Sequence, residues 1–100
     1  MLTNDRKKQY RAIGHKLKPV VTIGGNGLSE AVVAELNRAL SDHELIKVKL
    51  AVSEREVRQV ITEEVCSQTG ADLVQTIGKI ILLFRATPKP NPKLSNLLRG

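Results

Sequence analysis

The sequence predicts an α+β domain, a two-layer α/β sandwich built on a four-stranded mixed sheet, with elements in the order α-β-α-β-α-β-β. Three observations predict it. Apolar residues recur at helical spacing in three segments and at strand spacing, or as short β-branched runs, in four others. Helical segments separate the first three strands, so each connection reads as a crossover between parallel strands. The pair Gly78-Lys79 then joins the last two strands as an antiparallel hairpin.

The elements follow in order. Thr3 and Asn4 can cap a first helix that ends at Gly14, with a thin apolar side of Tyr10 and Ile13 and a basic remainder. Leu17-Lys18-Pro19 reads as extended, because the residue before a proline is pushed out of the helical region. Val20-Val21-Thr22-Ile23 reads as a short buried strand and Gly24-Gly25-Asn26-Gly27 as a loop. A second helix runs from Leu28 or Ser29 to Asp42, with Leu28, Val32, Leu36 and Leu40 on one stripe. Glu44 to Val52 alternates: Ile46, Val48, Leu50 and Val52 share one face, and Leu45, Lys47, Lys49 and Ala51 the other. Ser53-Glu54-Arg55-Glu56 reads as a capping box. It opens a third helix that buries Val57, Val60, Ile61 and Val65 and closes at Gly70. Leu73 to Ile77 and Ile80 to Arg85 are the hairpin strands. The face bearing Lys47 and Lys49 reads as solvated, which puts both crossover helices on the opposite side of the sheet. The domain is expected to span residues 1–86. Residues 87–100 hold Pro88, Pro90 and Pro92 with few core formers, and read as a flexible basic tail.

Composition narrows the function. The chain carries a net charge of +6, unevenly distributed. The excess lies in residues 1–18 and 79–100, while the middle is mildly acidic. A basic domain suits a polyanionic partner. The two aromatic residues, Tyr10 and Phe84, are too few for a base-stacking surface, so a nucleic acid would be held mainly by its backbone. The longest aliphatic and aromatic run, Ile80 to Phe84, is too short to span a membrane, and the N-terminus shows no secretory pattern. The single cysteine, Cys66, fits a reducing cytosol, so a cytoplasmic location is expected. His15, His43 and Cys66 match no zinc spacing, and no Walker loop, dinucleotide fingerprint or nucleophile elbow is present. No enzyme activity, catalytic residue, metal, cofactor or small-molecule substrate is expected.

The glycine loop lies between a strand and a helix start. Glycines leave the backbone open to close approach, and the first N–H groups of a helix lack internal partners. Together they can receive a phosphate. A plain tight turn needs the same glycines. Lys16 and Lys18 precede the first strand and Lys47 and Lys49 stand on the next, so pairing of these strands would bring bases to the loop.

Leu17-Lys18-Pro19-Val20-Val21, Ile23 to Leu28, and His43 to Lys49 together resemble the CRM domain (chloroplast RNA splicing and ribosome maturation). Thr69-Gly70-Ala71 and Ile77-Gly78-Lys79 extend the likeness over residues 3–86. The single-domain size resembles the bacterial stand-alone members, the YhbY family. The resemblance implies a fold similar to the C-terminal domain of translation initiation factor three, and RNA binding through a G-x-x-G loop. Bacterial members associate with precursors of the large ribosomal subunit, and plant members help splice group II introns. The loop glycines carried over are Gly24 and Gly27. Many family loops hold a lysine or arginine between them, whereas this chain has Gly25 and Asn26.

The expected RNA contacts are therefore Gly24, Gly25, Asn26 and Gly27, with Lys16, Lys18, Lys47, Lys49, Arg6, Lys7, Arg11 and Lys79. The expected partner is 23S rRNA or the pre-50S particle, bound by a monomer that assists assembly, with no membrane partner. The alternative is a general RNA chaperone or small-RNA-binding protein not tied to ribosomes.

Overall fold

The computed structural model describes residues 2–97. Along them run α1 (Asn4–Gly14), β1 (Pro19–Ile23), α2 (Glu30–His43), β2 (Leu45–Leu50), α3 (Arg55–Thr69), β3 (Asp72–Ile77) and β4 (Ile80–Phe84). The order and the four-stranded mixed sheet match the expectation. Several local signals hold as well. Thr3 Oγ1 accepts from the Arg6 N–H at 3.2 Å and caps α1. Gly70 closes α3 with φ +71°, the left-handed conformation its sequence position suggested. Gly78 has φ +56° and Lys79 no positive φ, the pattern of a type II′ hairpin turn.

The strand order is β1-β2-β4-β3. β1 and β2 are parallel, as expected. The third strand does not extend that parallel run, because β4 inserts between β2 and β3 and pairs antiparallel with both. The reason is apolarity. Ile81, Leu82 and Leu83 of β4 are buried, so this strand needs cover on both faces and takes an interior position. β3 buries only Val74 and lies at the edge. β1 is the other edge. It buries Val21 and Ile23 on one side only, rather than being a fully buried strand, and its leading Pro19 is suited to an edge.

The main core lies between the sheet and the pair α2 and α3. It gathers Ile23, Leu36, Leu40, Ile46, Val48, Leu50, Ile61, Val65, Ile81 and Leu83. Val60, expected inside, is 53% exposed, and Thr62 and Thr69 occupy the buried side of α3 instead. Both threonines satisfy their hydroxyls on the preceding helical turn, at Arg58 and Val65 carbonyls. The capping box of α3 does not form: Glu54 is the N-cap and makes no side-chain bond. The loop before it is tied by Arg58, which donates to the Val52 and Ser53 carbonyls at 2.8 and 2.6 Å.

The opposite face is not wholly solvated, because α1 covers one end of it. Tyr10, Leu45, Val74 and Leu82 form a second cluster there. Gly14 permits this contact: a Cβ at that position would lie 2.6 Å from Leu82 Cδ2.

The expected flexible tail also requires correction. Residues 91–97 fold back onto the start of β2. Ser95 is fully buried and donates to Glu44 Oε1 at 2.7 Å, while the Thr87 N–H donates to Oε2 at 3.2 Å. His43 Nδ1 lies 2.8 Å from the Leu94 carbonyl, and Asn96 Nδ2 donates to the Leu45 carbonyl at 2.6 Å. Leu97 joins the cluster under α1. Prolines kept this segment from forming a helix or strand, but side-chain hydrogen bonds hold it without either. The remainder of the expected tail, residues 98–100, lies outside the described residues.

Candidate nucleic-acid interface

The Gly24–Gly27 segment closes on itself, with the Gly27 N–H donating to the Gly24 carbonyl at 3.1 Å. Gly25 and Asn26 take no positive φ, so the turn is of the type I kind, and only Gly27, at φ +77°, requires glycine for its conformation. Gly24, Gly25 and Asn26 are exposed, and no atom lies within 4 Å of where a Cβ on Gly24 or Gly25 would stand. The turn does not run straight into α2, as the expected start at Leu28 or Ser29 required. Leu28 packs on the main core, and Ser29 is the N-cap, its hydroxyl accepting from the Val32 N–H at 3.2 Å. Glu30 follows in the first turn. One helical N–H is thus already taken and an acid stands beside the rest, so the turn backbone, more than the helix end, is what remains open to an anion.

Strand register places the bases. Thr22 pairs with Lys49 and Ile23 with Leu50, one step before the turn. The Leu50 N–H donates to the Lys79 carbonyl at 2.7 Å, which brings the β3–β4 hairpin tip to the same end of the sheet. The glycine turn, Lys49 and Lys79 are therefore grouped. Lys47 lies about 7 Å back along β2 on the same face. It is opposite Pro19, next to exposed Lys18. Lys16 is exposed in the same connection. Arg6 and Lys7 are not part of this group. Arg6 sits roughly 13 Å along the helix axis from His15, and its guanidinium donates to the Tyr10 hydroxyl at 3.4 Å.

Where α1 ends, an open groove of about 300 Å³ remains between it and the sheet. Arg11, His15 and Lys47 stand over Gln75, Ile77, Ile80 and Leu82, and no acidic side chain lines it. Gln75, Ile77 and Ile80 were not anticipated as site residues, since nothing in their spacing distinguishes them from ordinary strand positions. A larger cavity, about 620 Å³, lies across the sheet beside α3. It contains Glu63, and its Arg58 is already engaged by backbone carbonyls. Cys66 lies on α3, where burial, and then the charge of Asp72, push its thiol pKa up. Among the described residues no cluster of His, Cys, Asp and Glu could hold a metal ion, and no helix is long and apolar enough to cross a membrane.

Residues 2–85 match the CRS1 / YhbY (CRM) domain. The chain belongs to the CRM family. Two of its relatives agree with it over nearly their whole lengths. It is 57% identical over 98 residues to "Probable RNA-binding protein PA4753" of Pseudomonas aeruginosa, covering 98% of this chain and 94% of that protein. An "RNA-binding protein" of Haemophilus influenzae is 44% identical over 93 residues, with 93% and 94% covered. The fold matches the solution structure of the Staphylococcus aureus protein SAV1595 at a TM-score of 0.79 and 28% identity, covering 95% of this chain and 98% of that one. The CRM match ends at residue 85, just past β4, and the folded-back residues 91–97 lie outside it.

Proposed function

We propose that this CRM protein binds RNA through the open part of its sheet face and assists assembly of the large ribosomal subunit. It is a binding protein and not an enzyme, in keeping with its family. The observation that carries the proposal is the grouping of the exposed Gly24–Gly27 turn with Lys49 and Lys79 at one end of the sheet, with Lys47 next on the same face. Lysines there neutralise phosphates, and the bare turn lets one strand come close to the backbone. Arg11, Lys16 and Lys18 extend the same basic surface, while Arg6 and Lys7 add outlying contacts along α1. Since Gly25 and Asn26 bring no charge, the lysines supply the attraction and the turn supplies access. The assembly role rests on the family resemblance, whose stand-alone bacterial members associate with large-subunit precursors. That role would place the protein in the cytoplasm.

The test is sedimentation of a cell lysate on a sucrose gradient, followed by sequencing of RNA crosslinked to the protein. Wild type should travel with the large subunit or its precursor. The variant Gly25→Asp/Asn26→Asp, whose changes fall on exposed turn positions, should stay near the top. Wild type at the top, or crosslinked mainly to other RNAs, would move the function to a general RNA chaperone.

A further inference from the structure

A single irregularity in β3 shapes the groove at the end of α1. Regular alternation would place Leu73, Gln75 and Ile77 on one face of the sheet. The register shifts between Leu73 and Gln75. Leu73 faces the α3 side, whereas Val74 and Gln75 both turn toward α1. Ile77 follows them onto that face. The bulge thus delivers an amide and an aliphatic side chain to a groove whose other side is Arg11 and Lys47. Bulges commonly re-aim side chains in this way near functional sites.

The contents of the groove are uncommon for a surface that merely solvates the sheet. Gln75 is half-buried, and its amide makes no hydrogen bond among the described residues. Ile77 is 62% exposed at the rim. Ile80 and Leu82 form an apolar floor. The volume, about 300 Å³, is at the lower limit for ligand pockets, which run to roughly 1,000 Å³. It suits one small planar group. Both walls that carry charge are cationic, which favours an occupant bearing phosphate.

We propose that this groove takes one unstacked nucleotide of the bound RNA. The base lies on Ile77, Ile80 and Leu82, Gln75 hydrogen-bonds its edge, and Arg11 and Lys47 hold the flanking phosphates. The inference rests on the reading that this face binds RNA, and adds a base-recognition site to what is otherwise backbone contact. It also answers the shortage of aromatic platforms. Tyr10 and Phe84 are packed on each other, ring centroids 4.8 Å apart, with Tyr10 buried, so neither supplies an open stacking surface. The aliphatic floor of Ile77, Ile80 and Leu82 offers a base an apolar platform instead.

The experiment measures binding of the full chain to fluorescently labelled oligouridylate, oligocytidylate and oligoadenylate of one length, and to an abasic oligomer with the same number of phosphates. The three homopolymers should bind unequally, and the abasic oligomer about fivefold more weakly than the best of them, the scale of one hydrogen-bonded contact. Gln75→Leu should bring the homopolymers to a common affinity without changing the salt dependence. Ile77→Ser, at an exposed position, should weaken all three toward the abasic value. Gly25→Asp/Asn26→Asp should weaken every oligomer alike, the abasic one included. An abasic oligomer that binds as well as the others, or an unchanged ranking in Gln75→Leu, overturns the nucleotide site and leaves RNA binding standing. Failure of wild type to bind any of these oligomers overturns both.

Discussion

Ser95→Ala removes one hydroxyl, and the structure gives its worth. Ser95 is fully buried, and its Oγ donates to Glu44 Oε1 at 2.7 Å. A hydrogen bond to a charged group contributes about 1.5–3 kcal/mol. The Thr87 N–H still reaches the other carboxylate oxygen, so the carboxylate keeps a partner and the loss falls toward the lower end. Glu44 also holds a backbone conformation that side chains disfavour, φ +62° and ψ −47°. Such strain costs about 1–3 kcal/mol and persists only where neighbours enforce it. Loosening the clasp therefore removes part of what enforces the bend into β2. The expected loss is about 1–2 kcal/mol, which for a domain of this size lowers Tm by roughly 4–16 °C, at about 4–8 °C per kcal/mol. Thermal unfolding followed by far-UV circular dichroism measures it. A double-mutant cycle with Glu44→Ala should return a coupling of at least about 0.5 kcal/mol. If Ser95→Ala and a chain cut after residue 86 both melt with wild type, residues 91–97 do not clasp the domain.

Other predictions follow from the same packing and surface. Gly14→Ala should destabilise by about 1 kcal/mol in denaturant unfolding, since overpacking against Leu82 costs roughly 1–3 kcal/mol and better helix propensity returns at most about 1. Gly24→Ala, at an open position without positive φ, should stay within about 0.5 kcal/mol of wild type. Iodoacetamide should alkylate Cys66 more slowly than free cysteine at pH 8, because burial raises its pKa and leaves less thiolate. Its rate should go on rising at pH values where a free thiol has levelled off. Gly25→Asp/Asn26→Asp should keep the wild-type circular dichroism spectrum while weakening RNA binding through like-charge repulsion.

Most of the fold was legible because its signals are local. The stripe Val32, Leu36 and Leu40 specifies α2, alternation from Leu45 to Leu50 specifies β2, and Gly70 and Gly78 mark a helix end and a turn by the conformations only they adopt readily. What was missed depends on competition between distant segments. The insertion of β4 between β2 and β3 follows from which strand is most apolar, and chain order favoured the wrong neighbour. The capping box at Ser53 was read from local spacing, but the helix takes Glu54 as its N-cap and leaves Ser53 in the turn that Arg58 ties down. Residues 91–97 bond mainly through Ser95, Asn96 and a backbone carbonyl, and polar residues among prolines look the same whether they are solvated or docked. At the candidate site, the lysines on β2 and the glycine turn were readable from charge and spacing. The groove was not, because it depends on a bulge, and a bulge reverses the alternation from which strand faces are read.

The central claim is that the open sheet face holds RNA by its phosphates, and the salt dependence of affinity tests it most directly. If Lys18, Lys47, Lys49, Lys79 and Arg11 neutralise about five phosphates, log affinity should fall against log salt with a slope of about −3.5 to −4.5. Lys47→Ala/Lys49→Ala should make that slope shallower by about 1.5 while the protein remains folded. An affinity indifferent to salt, or a double variant with the wild-type slope, would contradict the account and place the RNA contact elsewhere on the molecule.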